Sequence, residues 1–91
     1  MLYLVEMTVN VPHGISPEVL EQMKIEEKQR ATELQESGHW KHLWRVVGRY
    51  ANVSIFDVES HDELHTLLSS LPLFPLMDIR VTALAKHPST I

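Results

Sequence analysis

The chain has 91 residues, 44% hydrophobic and 22% charged, with a formal charge of −4 and no cysteine. That is one small domain of ordinary globular composition. The acidic balance and scattered Lys and Arg argue against nucleic acid, and without cysteine there is no disulfide, thiol nucleophile or thiolate metal site.

The opening MLYLVEMTVNV has no basic stretch before its apolar residues and meets Glu6 early. It fits neither a signal peptide nor a membrane span, and with the lack of cysteine it suggests a cytoplasmic protein. Tyr3, Val5, Met7, Val9 and Val11 alternate with Leu4, Glu6, Thr8 and Asn10, the period of a half-buried strand over residues 2 to 11. Pro12, His13 and Gly14 end it.

Ser16 is a good N-cap, Pro17 suits the first helical position and Glu18 favours the positive end of the dipole, so a helix is predicted from Pro17 to about Glu36, stopped by Gly38. At 100° per residue Leu20, Met23, Ala31 and Leu34 form one apolar stripe with Glu27 at its centre. A carboxylate aimed at a core loses hydration. Either a cation neutralises it or its pKa rises toward the range of a base that works near neutral pH. Glu27 is therefore the first catalytic candidate. Lys24, on the same side, either pairs with it or faces a ligand.

Trp40 to Val47 and Tyr50 to Val58 flank Gly48-Arg49, which reads as a two-residue type II′ hairpin link pairing Val47 with Tyr50. That register puts Trp44, Val46, Ala51, Val53 and Ile55 on one face, expected as core. Leu43, Arg45, Tyr50, Asn52, Ser54 and Phe56 fall on the other, mixed face. Arg45, mid-strand, needs an anion: Glu6, Asp78, an intersubunit carboxylate or a ligand. Trp40, Trp44 and Tyr50 could stack on a flat ligand, although a period of two favours a core role for the tryptophans. His39 and His42 flank Trp40, and His42 is a candidate pocket residue.

Ser60 caps a shorter helix to about Ser70 with Leu64, Leu67 and Leu68 inward. His61 and His65 lie four apart on it, a metal-binding spacing, but HDELH lacks the zincin order and no third ligand is marked, so both read as solvated and no metal is expected. Pro72 and Pro75 frame a stiff LPLFP connection, Met77 to Ala85 is the last strand, and His87 with Pro88 belongs to a terminal tail.

The order βαββαβ in residues 1–91 predicts a single α+β domain of the ferredoxin-like type, a four-stranded antiparallel sheet with both helices on one face. The uncovered face, expected to carry Arg45, Asn52 and Ser54 among apolar residues, is too apolar for open water, so a second copy should pair with it as a dimeric α+β barrel. If the polar residues converge, an anionic small molecule held by Arg45 or Lys24 beside Glu27 has the parts for moving a proton at carbon without metal or organic cofactor. Asn52, Ser54 or Tyr50 would then stabilise an enolate oxygen.

Nearly the whole chain resembles the muconolactone Δ-isomerase family. The residues that carry the likeness are Met7-Thr8-Val9, Lys24 with Glu27-Lys28, the run Trp40-Lys41-His42-Leu43-Trp44-Arg45, Gly48 followed by Tyr50-Ala51-Asn52, Ser54 with Phe56-Asp57-Val58, Leu71-Pro72-Leu73-Phe74-Pro75, Met77-Asp78-Ile79 and His87-Pro88-Ser89. It departs at Glu6, where a basic residue is usual, and at Arg49, where histidine is familiar. The resemblance implies a cofactor-free isomerase that converts muconolactone to 3-oxoadipate enol-lactone in the catechol branch of the 3-oxoadipate pathway, assembled as a decamer built from dimers. It also implies Glu27 as the base, Arg45 or Lys24 as the anchor of the acetate carboxylate, and Tyr50, Asn52 and Ser54 as pocket donors. A chloromuconolactone dehalogenase, a methylmuconolactone isomerase and a non-catalytic small-acid-binding barrel are the alternatives.

Overall fold

The computed structural model describes residues 1–91. The elements follow the expected order: β1 (Leu2–Val9), α1 (Pro17–Glu36), β2 (Trp40–Arg45), β3 (Ala51–Asp57), α2 (His61–Ser69), a 3₁₀ turn (Phe74–Leu76) and β4 (Met77–Leu84). All strand pairs are antiparallel, in the spatial order β2-β3-β1-β4. The first strand stops two residues short of the predicted Val11. Val9 N–H bonds to Tyr50 O and Asn10 N–H to Leu76 O, after which Pro12 has no N–H to continue the ladder.

Both helices begin where their caps dictate: Ser16 Oγ accepts from Val19 N–H at 3.1 Å and Ser60 Oγ from Glu63 N–H at 3.0 Å. Gly38, at φ 85°, supplies the left-handed residue that turns the chain out of α1. Leu34 of α1 and Leu64 and Leu68 of α2 pack on Tyr3, Val5, Met7 and Phe56 of the sheet, so both helices cover one face. Met7 and Phe56 are fully buried, each worth roughly 1.5–3 kcal/mol of hydrophobic burial. Only 13 of 91 residues are buried, a core small enough that further burial through self-association would add materially to stability. No helix is long and apolar enough to cross a membrane.

The hairpin register holds, with Arg45 opposite Asn52 and Trp44 opposite Val53, but the turn is not the two-residue link expected. Val46 N–H bonds to Ala51 O and Arg49 N–H to Val46 O, so Gly48 occupies the third position of a four-residue turn at φ 78°, where a type II turn places its positive φ. A bulge between Trp40 and His42 then shifts the register, pairing Trp40 with Phe56 and His42 with Ile55. One extra residue thus places Trp40 inside, 3% exposed and stacked on Phe56 at 4.8 Å, while Trp44 stays 56% exposed and stacks on His42 at 5.1 Å.

The two sheet faces are the reverse of the expectation. Leu43, Arg45, Asn52, Ser54 and Phe56 share the helix-covered face with Tyr3, Val5 and Met7, whereas His42, Trp44, Val53 and Ile55 share the open face with Leu4 and Glu6. The reason is Phe56: its packing against Tyr3, Leu64 and Leu68 fixes which side the helices cover, and the polar residues two and four positions earlier follow it inward. Glu6 and Asp78 therefore lie on the face away from Arg45 and cannot be its anions.

Candidate active site

The inward polar residues have a cavity to face. Between α1 and the β2–β3 end of the sheet lies a hollow of about 270 Å³. Glu27, Lys24, Lys28 and Ala31 line it from α1, Trp40, Leu43, Arg45 and Asn52 from β2 and β3, Tyr50 from the turn, and Leu73 from the proline connection. The size suits a compact ligand, and the apolar walls with a few convergent polar groups are those of a small-molecule site.

Glu27 is half buried, at the centre of its helix stripe. Its Oε1 accepts one hydrogen bond, from Leu73 N–H at 2.9 Å, and no basic nitrogen lies within 4.0 Å of the carboxylate. Burial raises its pKa above the ordinary carboxylate value, and the Leu73 bond opposes that rise in part. Lys24 does not pair with it. The Lys24 ammonium sits 5.6 Å and the Arg45 guanidinium 5.5 Å from the centre of the Tyr50 ring, within cation–π range, and neither makes a salt bridge in the chain. Two cations are thus held on one aromatic ring at the cavity wall, free to receive an anion.

Glu27, Lys24, Arg45, Tyr50 and Asn52 come together, but Ser54 and His42 do not join them. Ser54 is fully buried behind the wall, its hydroxyl donating to Asn52 Oδ1 at 2.7 Å. His42 shares the open sheet face with Trp44, because the strand alternates regularly from Arg45 back to His42. His61 and His65 lie one helical turn apart beside a separate hollow of about 280 Å³. The Tyr3 hydroxyl hydrogen-bonds His61 Nδ1, and no group of three potential metal ligands exists in the chain.

One polar wall component was not marked by sequence reasoning. Leu73 contributes a backbone N–H, to which no side-chain pattern points. Trp40 contributes an indole whose Nε1 is the one buried side-chain polar atom without a partner. A period of two puts Trp40 and Trp44 on one face; the bulge, which no residue type announces, turns Trp40 inward to border the cavity and leaves Trp44 on the open face.

The arrangement can bind a small anion through Arg45 and Lys24 and exchange a proton at Glu27. Residues 1–90 match the family model described as muconolactone delta-isomerase. A muconolactone Delta-isomerase of Cupriavidus pinatubonensis is 63% identical over 91 residues, covering 100% of this chain and 99% of that protein. The Pseudomonas aeruginosa protein of the same name is 50% identical over 91 residues, covering 100% and 95%. A crystal structure of muconolactone isomerase, 52% identical, superposes with a TM-score of 0.94 over 100% of this chain and 95% of that one. A 5-chloro-2-hydroxyhydroquinone dehydrochlorinase of Burkholderia phenoliruptrix shares the fold alone, at 19% identity and a TM-score of 0.59 over 96% of each chain.

Proposed function

The chain belongs to the muconolactone Delta-isomerase family and isomerises muconolactone, and we propose that it does so with the Glu27 carboxylate as the base that removes and returns one proton. The observation that carries this reading is a half-buried carboxylate with a single neutral donor and no cation in contact, set in the wall of a cavity that also presents two unpaired cations.

The proton leaves the ring carbon bearing the acetate arm. Its electron pair is conjugated through the ring double bond to the lactone carbonyl, so its loss gives a dienolate. Glu27 then returns the proton to the carbon next to the carbonyl, and the double bond has moved with no net change in atoms or electrons. Arg45 and Lys24 hold the acetate carboxylate, and their placement on Tyr50 keeps them off Glu27, whose desolvation improves its match to a carbon acid. Asn52 and Tyr50 are the polar groups beside the developing oxyanion.

Glu27→Gln keeps the shape and the Leu73 hydrogen bond but cannot take a proton, so kcat should fall about 10³-fold, within the span of general-base losses. A variant retaining a third of the wild-type rate would rule Glu27 out. Turnover in deuterated water adds a second test: one carboxylate shuttling one proton leaves some of the substrate's hydrogen in the product, whereas two separate groups bring in solvent deuterium fully. The reading extends to a cytoplasmic homo-oligomer, with a decamer built from dimers as the expected assembly. It is supported by the small core, the lack of cysteine and an open sheet face that exposes Trp44, Leu2 and Leu84.

A further inference from the structure

Ser54 is the one polar residue in the buried set, with no exposed surface at all, and it sits in mid-sheet between Val5 and Leu43. A hydroxyl in such surroundings costs stability unless it is hydrogen-bonded, and an alanine or valine would pack there without that requirement. Its hydroxyl has one side-chain partner, Asn52 Oδ1 at 2.7 Å. Asn52, two residues earlier on the same face of β3, reaches the cavity that Ser54 does not.

We propose that Ser54 is a positioning residue: its hydroxyl occupies the oxygen end of the Asn52 carboxamide, so the amide's NH₂ end is the one presented to the substrate's lactone carbonyl. A carboxamide has two ends of similar size and opposite hydrogen-bonding sense. Turned the other way, Nδ2–H would donate to Ser54 Oγ and leave the buried hydroxyl's own proton without an acceptor, while Asn52 offered an oxygen to an oxygen that gains negative charge as the proton leaves. With Oδ1 engaged, Nδ2 has no protein acceptor and both of its protons remain for the ligand. The polar core residue is explained by the transition state it serves rather than by the fold, and the inference rests on the proton-transfer reading of the site.

The test is a set of variants at two positions. Ser54→Thr keeps the hydroxyl, and Ser54→Val has the same shape without it, so the pair separates hydrogen bonding from volume even if both lose some stability. We expect Thr to hold kcat within about threefold of wild type, whereas Val and Ser54→Ala lower it about tenfold, part of the 10²–10³ attached to one oxyanion donor. KM should stay within about twofold, and the pH midpoint of kcat/KM, which reports Glu27, should not move. Asn52→Ala should cost at least as much as Ser54→Ala, and adding Ser54→Ala to it should cost nothing more. Equal kcat for the Thr and Val variants, a wild-type rate in Asn52→Ala, or losses that multiply in the double variant would each overturn the assignment. Failure of the underlying reading shows separately, as activity surviving in Glu27→Gln.

Discussion

Glu27→Gln should strengthen the folded chain at neutral pH while lowering kcat about 10³-fold, and the size of the gain is tied to a kinetic measurement. Burial holds the Glu27 pKa above its usual 4.5, so over the window from 4.5 up to the raised value the folded chain keeps a proton that the unfolded chain releases. Stability contributed by this site is therefore highest below pH 4.5, falls as pH rises through that window, and stays low above it. The glutamine variant has no such slope, and its amide oxygen can still accept from Leu73 N–H. Its advantage over wild type should grow with pH by about 1.4 kcal/mol for each unit separating the folded pKa from the unfolded one. Glu27 is only half buried, so solvent screening keeps that advantage at the small end. The acid limb of the wild-type kcat/KM profile reports the same folded pKa independently. Urea unfolding of both proteins at one fixed concentration, from about pH 4 to about pH 8, supplies the other half of the comparison. A stability difference that is flat or shrinks with rising pH would refute the desolvated-carboxylate reasoning. So would one more than about a pKa unit's worth away from the kinetic midpoint.

Arg45→Met should raise KM about 10- to 100-fold with a smaller change in kcat, the loss of a charge-assisted contact to the acetate arm, and steady-state kinetics on muconolactone would measure it. Tyr50→Phe keeps the ring that carries Lys24 and Arg45 and should leave KM within about threefold, whereas Tyr50→Leu removes the cation–π platform and should raise it about tenfold. Trp44→Glu puts a charge on the open sheet face, on the side away from the cavity, and should dissociate the assembly in light scattering or sedimentation.

The parts of the molecule legible in the sequence are those governed by local periodicity. The α1 stripe around Glu27, the Ser16 and Ser60 caps and the Arg45–Asn52 register all follow from residues close together in the chain. Which sheet face the helices cover was read the wrong way round, because β2 and β3 mix polar and apolar residues on both faces, and alternation fixes membership of a face but not its partner. Ser54 accordingly read as an exposed pocket donor although it is wholly enclosed. His42 read as a pocket residue from its place beside Trp40, but regular alternation from Arg45 puts it on the face away from the cavity, and the bulge at Lys41 brings Trp40 back inward. The donor to Glu27 was beyond reach of local patterns altogether, being a main-chain N–H 46 residues away.

That long-range contact means the base does not ride on its helix alone. Lifting the proline-braced segment from α1 would withdraw the amide donor and uncover the carboxylate to water in the same movement. Those two losses pull its proton affinity in opposite directions, so the base is buffered against small displacements of that stretch of backbone.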